Sequence, residues 1–133
     1  MLSAYQRVAL AFLVVAGCGS ASPPADRPGL SALLHEKKFE PREFYTGADT
    51  PEDLTPLTEA VNSAIKDVSA LPDPLSKDAV RSRLAKLIDD TDSYATEDRD
   101  EVGRYAIRIW RTAGFKEESR LFPVSDDKVL AEP

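Results

Sequence analysis

Residues 96–114 read TEDRDEVGRYAIRIWRTAG, and this stretch decides the fold. Acids crowd its start (Glu97, Asp98, Asp100, Glu101) and arginines its later turns (Arg104, Arg108, Arg111). Each sign sits at the end of a helix dipole that favours it. Thr96 is placed to cap the N-terminus and Gly114 the C-terminus. Val102, Tyr105, Ala106, Ile109 and Ala113 recur at helical spacing and form a core stripe. The stretch predicts a long amphipathic helix that must be covered by other helices.

Working back along the chain, Ser76 precedes a second such pattern, with Val80, Leu84, Leu87 and Ile88 as its stripe and an expected end near Asp90. Upstream, Leu57, Val61, Ala64, Ile65 and Val68 define a helix expected to run to about Leu71. Proline is disfavoured inside a helix, so this one is expected to begin at Pro56 with Thr55 as cap, after a single turn at Thr50–Asp53. A short first helix is expected over Ser31–Phe39. Phe44 and Tyr45 are candidate anchors of the irregular stretch after it. Residues 116–125 are expected to pack back as an extended segment, and 126–133 to fray. Connections of a few residues make the three long helices antiparallel neighbours. The expected fold is all-α, a small antiparallel three- to four-helix bundle over residues 30–125 with an extended C-terminal segment.

The N-terminus has a different character. Arg7 is followed by an apolar run, Val8–Ala16, too short to cross a hydrocarbon core of ~30 Å as a helix. A basic n-region, a short apolar region and small residues at its end mark a cleaved signal. Val15-Ala16-Gly17-Cys18 resembles the lipobox of bacterial lipoproteins. That resemblance implies a signal peptide over 1–17, a diacylglyceryl group on the sulfur of Cys18, cleavage before it, and acylation of the new amino group by a palmitate-type chain. It also implies a bacterial cell-envelope location. Gly19 after the cysteine points to the outer rather than the inner membrane. Residues 18–29, rich in proline and small residues, read as the tether of such an anchor. Beyond Leu30 the chain is similar only to small uncharacterised bacterial domains.

The chain is acidic, with 17 basic and 23 acidic side chains and a formal charge of −6. Removal of Arg7 with the signal makes it more negative. Nucleic acid is therefore not an expected partner, and attachment to the membrane is expected through the lipid alone. Cys18 and His35 are the only residues of their kinds, so there is no disulfide framework and little room for histidine chemistry. No nucleophile elbow, phosphate loop or dinucleotide fingerprint is present. Neither catalysis nor a cofactor is expected.

Two constellations could bind. Asp90, Asp92, Thr96, Asp98 and Glu101 stand at positions 1, 3, 7, 9 and 12 of an EF-hand-like calcium loop. Tyr94 and Ala95 occupy the positions where that loop needs an oxygen ligand and a glycine, and the acids also suit a helix start. Separately, Gly103, Ile107 and Trp110 share a second side of the 96–114 helix. That side is either covered by the first helix or the Leu121–Val124 segment, or left open as a shallow groove for an envelope protein or peptide, with Trp110 as an anchor. The expected function is a non-catalytic protein- or peptide-binding module of the envelope, with a small-ligand or calcium-binding domain as the alternative. Arg104, Arg108 and Arg111 form a basic stripe, read either as a solvated face or as a receptor for a carboxylate or phosphate group.

Overall fold

The computed structural model describes residues 26–131. The expected signal peptide over 1–17, Cys18 and most of the expected tether lie outside the described residues. Five helices follow in order: α1 (Pro28–His35), α2 (Pro51–Ser69), α3 (Lys77–Asp90), α4 (Thr96–Thr112) and α5 (Asp126–Leu130). Among the described residues there are no strands, only one isolated bridge between Arg42 and Tyr45. The fold is a small all-α bundle in which α4 contacts each of the other four helices. None of these helices is long and apolar enough to cross a membrane.

The core is the set of stripes read from the sequence. Leu57, Val61, Ile65 and Val68 of α2 meet Val80, Leu84 and Leu87 of α3 and Val102, Tyr105, Ala106, Ile109 and Trp110 of α4. Leu30 and Leu33 of α1 close one side. Each fully buried aliphatic side chain contributes about 1.5–3 kcal/mol. α3 matches its expected span, and Ser76 Oγ accepts from Ala79 N at 3.2 Å as the N-cap.

Other boundaries differ, each for a local reason. α2 starts at Pro51 and runs through Pro56. Pro56 lies near the solvent-exposed start of the helix, where the one missing N–H bond leaves a carbonyl that water can satisfy. α1 starts at Pro28, a first-turn proline, so the fold begins before Leu30. Arg27 donates to the carbonyl of Ser69 at 3.0 Å, which ties residues assigned to the tether onto α2. α1 stops at His35 rather than Phe39. The buried Lys38 ammonium donates to the carbonyls of Leu33 (2.6 Å), Leu34 (3.2 Å) and Glu36 (2.8 Å), gathering carbonyls at the end of the helix. Burial pushes its pKa down. Thr96 is the first helical residue of α4 instead of its cap; its Oγ1 accepts from Arg99 Nη2 at 3.3 Å. Residues 126–130, expected to fray, form α5 with Ser125 as the cap, its Oγ accepting from Lys128 N at 3.2 Å.

Candidate functional site

α4 is the organising element, and the acids near its start act as fasteners. The α1–α2 connector turns back on itself where Arg42 and Tyr45 exchange backbone hydrogen bonds of 2.7 and 3.1 Å. This turns Tyr45 inward and leaves Phe44 half exposed. The Tyr45 hydroxyl donates to Asp98 Oδ1 at 2.6 Å, and Asp49 N donates to Asp98 Oδ2 at 3.0 Å. Burial, then the bond to Asp98 and its charge, hold the Tyr45 hydroxyl far above the usual tyrosine range. Arg42 grips Glu101 with Nη2 at 2.7 Å and Nε at 3.3 Å, and Arg104 Nη1 adds a third bond at 3.1 Å. Phe39 takes a left-handed conformation (φ 59°) and packs its ring 5.3 Å from that of Tyr105.

This geometry removes the calcium reading. Asp98 and Glu101 are buried and already accept hydrogen bonds from the α1–α2 connector. Asp90 accepts from Lys86 at 2.6 Å, and Asp92 from Arg99 at 3.4 Å, both in exposed pairs. Among the described residues no group of three or more acids, histidines or cysteines could hold a metal ion. The acids took EF-hand spacing because a helix start wants acids and a connector needs acceptors. His35 lies exposed on α1 with Nδ1 2.8 Å from the carbonyl of Ser31.

The second side of α4 is covered by the chain itself. Gly103, Ile107 and Trp110 are buried, so they form no open partner groove. Phe115 stacks 4.4 Å from Trp110, Arg81 lies over its ring at 5.1 Å, and its indole N–H donates to the carbonyl of Glu117 at 2.7 Å. Phe122 and Val129 cover Gly103, where an added Cβ would come within 3.1 Å of the Phe122 ring. Asp126 pins this C-terminal segment. It is buried and accepts from Ser119 N and Ser119 Oγ, both at 2.7 Å.

The covering segment creates a groove of its own. A cavity of about 490 Å³ runs between the first half of α4 and residues 122–131. Phe122, Pro123, Val124 and Val129 give it apolar walls, and Arg99, Arg104 and Lys128 edge it. Arg104 also lines a neighbouring cavity of about 180 Å³, with Arg42, Arg108, Tyr105, Glu101 and Leu130 around it. Arg108 is held by a two-pronged ion pair to Glu36, both bonds 2.8 Å, and lies 5.5 Å from the Tyr105 ring centre. The pair draws the Glu36 carboxyl below its ordinary range. The basic stripe thus splits: Arg104 and Arg108 face the cavity, whereas Arg111 pairs with Asp127 at 2.8 Å. Sequence reasoning missed Arg42, Lys128 and Val129. Ser125 followed by two acids was the available signal for the helix that places the last two.

The described residues therefore form a small all-α domain with an arginine-edged groove on α4. The chain matches the family described as Domain of unknown function (DUF4844) over residues 21–122, and it belongs to that family. No curated protein and no solved structure matches it.

Proposed function

We propose that this protein is a non-catalytic binding module of the bacterial cell envelope, anchored through lipid on Cys18 and, with Gly19 next in sequence, carried on the outer membrane. The groove between α4 and residues 122–131 is the observation that supports binding. Its volume lies within the ~300–1,000 Å³ typical of ligand sites, and its apolar walls carry a few placed polar groups. Val124 stands 41% exposed on its edge. The partner surface thus moves from the Gly103–Ile107–Trp110 side to the segment that covers it. The order Arg7, apolar run, Val15-Ala16-Gly17-Cys18 supports the anchor. A diacylglyceryl thioether brings two chains, the number that makes membrane attachment stable.

Expression in a bacterium fed an alkyne-tagged palmitate tests the anchor. The full chain is expected to carry the label and enter the membrane fraction, and Cys18→Ala to lose both. An unlabelled wild type sinks the anchor. A photo-crosslinking amino acid at position 124 tests the binding surface: adducts to an envelope protein are expected there and not from an exposed position on α3 such as Asp78. Equal yields from both positions count against the groove.

A further inference from the structure

The bundle has two ends of different character. Where the described chain begins, Arg27 donates to the carbonyl of Ser69, the last residue of α2, at 3.0 Å and reaches Asp73 in the turn after it. Gly29 lies so close to Thr112, the last residue of α4, that an added Cβ would stand 2.9 Å from its methyl group. The ends of α2 and α4 thus gather where the chain leaves toward Cys18. The starts of both helices gather at the other end, where Asp49, two residues before α2, donates from its backbone to Asp98, the third residue of α4. Phe44, Leu54 and Val124 are the three large apolar side chains left exposed among the described residues. All three belong to this second end. Phe44 adjoins the Tyr45 that bonds Asp98, Leu54 stands fifteen residues before Ser69, and Val124 lines the groove with Arg99, Asp100 and Gly103. At about 1.5 Å per residue, Leu54 and Asp98 lie about 20 Å along their helices from Ser69 and Thr112, and the groove residues of α4 about 12–20 Å from Thr112.

Exposed apolar side chains gathered at one end mark an interaction surface. Their surroundings set its partner. Glu43, Glu52 and Asp53 flank Phe44 and Leu54 in sequence, and this charge repels an anionic bilayer surface. The eight residue steps from Cys18 to Asp26 span at most about 28 Å. For the second end to meet lipid, that segment would run back along about 20 Å of the bundle and use most of its reach. We propose that the lipid on Cys18 holds the bundle by its Arg27 end, and that the opposite end, with Phe44, Leu54 and Val124, docks an apolar protein surface standing clear of the bilayer. This rests on the anchor and binding readings above and adds where the partner stands and what it presents.

The test reconstitutes the lipidated full-length chain in vesicles of phosphatidylethanolamine and phosphatidylglycerol that carry a trace of acceptor-labelled lipid. The anchor occupies the only native thiol, so Ala70→Cys, Phe44→Cys, Leu54→Cys or Val124→Cys, each at an exposed position, takes a single donor dye. Energy transfer is expected to place the dyes at 44, 54 and 124 about 10 Å or more farther from the bilayer than the dye at 70. Dyes at 44, 54 and 124 as close as the dye at 70, or closer, would overturn the orientation. A chain that does not enter the vesicles overturns the anchor reading and this proposal with it. The partner's chemistry is read from the photo-crosslinker at position 124 in cells. Its protein adducts are expected to fall about fivefold or more in Phe44→Asp and in Leu54→Asp, variants that circular dichroism confirms as folded. Adducts unchanged in both variants would confine the contact to the groove and overturn the wider face. An absence of adducts at 124 in the parent chain overturns the binding reading and the partner, with the orientation decided by the dye distances alone.

Discussion

Asp98→Ala is the most exacting perturbation of this fold. Its carboxylate is fully buried and accepts two hydrogen bonds, from the Tyr45 hydroxyl at 2.6 Å and from Asp49 N at 3.0 Å. Bonds to a charged group contribute about 1.5–3 kcal/mol each. The alanine variant leaves the Tyr45 hydroxyl without its acceptor in a site 2% exposed, whereas the amide of the exposed Asp49 can turn to water. The expected loss is therefore about 3–5 kcal/mol, toward the lower end of what two such bonds could give. At about 4–8 °C per kcal/mol for a domain of this size, Tm falls by about 12 °C or more. Urea denaturation followed by circular dichroism measures it. A double-mutant cycle with Tyr45→Phe isolates the pair, with an expected coupling of at least about 1.5 kcal/mol. A coupling below about 0.5 kcal/mol would refute the reasoning. The pH dependence gives a separate check. Tyr45 holds its proton more tightly folded than unfolded, where its pKa is about 10. Its contribution is thus complete below about pH 10 and lost as pH rises above that. Tyr45→Phe is expected to flatten the alkaline limb of the stability curve, leaving the smaller dependence due to Tyr105, whose hydroxyl burial also raises.

Trp110 is the only tryptophan and is fully buried, so its emission is expected to be blue-shifted and shielded from acrylamide; ready quenching in the native protein would contradict the burial of this side of α4. Trp110→Ala is expected to cost about 3–5 kcal/mol in denaturant titrations. Asp126→Ala removes both acceptors of Ser119, and limited proteolysis is expected to cut first within residues 118–131; unchanged cutting would mean that Asp126 does not hold the segment. The Glu36–Arg108 pair is more than a third exposed on both sides, so a double-mutant cycle is expected to give no more than about 1 kcal/mol, screened further by salt. Arg108 lowers the Glu36 pKa, so this contribution is present above about pH 4.3 and fades as pH falls below it; a contribution that survives at pH 2 would reverse the sign.

The legible part of the fold was periodic and local. The stripes of α2, α3 and α4 required only 3.6-residue spacing, and Ser76 and the charge gradient of α4 fixed ends by short-range chemistry. What escaped was set by partners distant in sequence or by one residue acting against its usual preference. Pro56 was read as a barrier, but its cost is small where the missing bond faces water. Lys38 ends α1 with its side chain, which no turn motif announces. The EF-hand spacing of Asp90–Glu101 was real as spacing, yet Arg42 and Tyr45 sit more than fifty residues before the carboxylates they bind. The apolar second side of α4 was visible in Gly103, Ile107 and Trp110. The expectation that named the Leu121–Val124 segment as its possible cover was the right one, and the helix that extends that cover was not foreseen.

The fasteners between the α1–α2 connector and α4 carry a consequence for the order of assembly. Tyr45–Asp98, Phe39–Tyr105 and Glu36–Arg108 each close a loop of more than fifty residues, whereas α2, α3 and α4 pack on neighbours in sequence. Closing long loops before the helices meet would cost entropy with little return. The connector is therefore expected to dock last onto a helical platform already formed, and to be the first part to leave it. Native-state hydrogen exchange should find the protected amides of residues 38–49 opening at lower free energy than those of α4, and equal protection of the two would place the docking earlier.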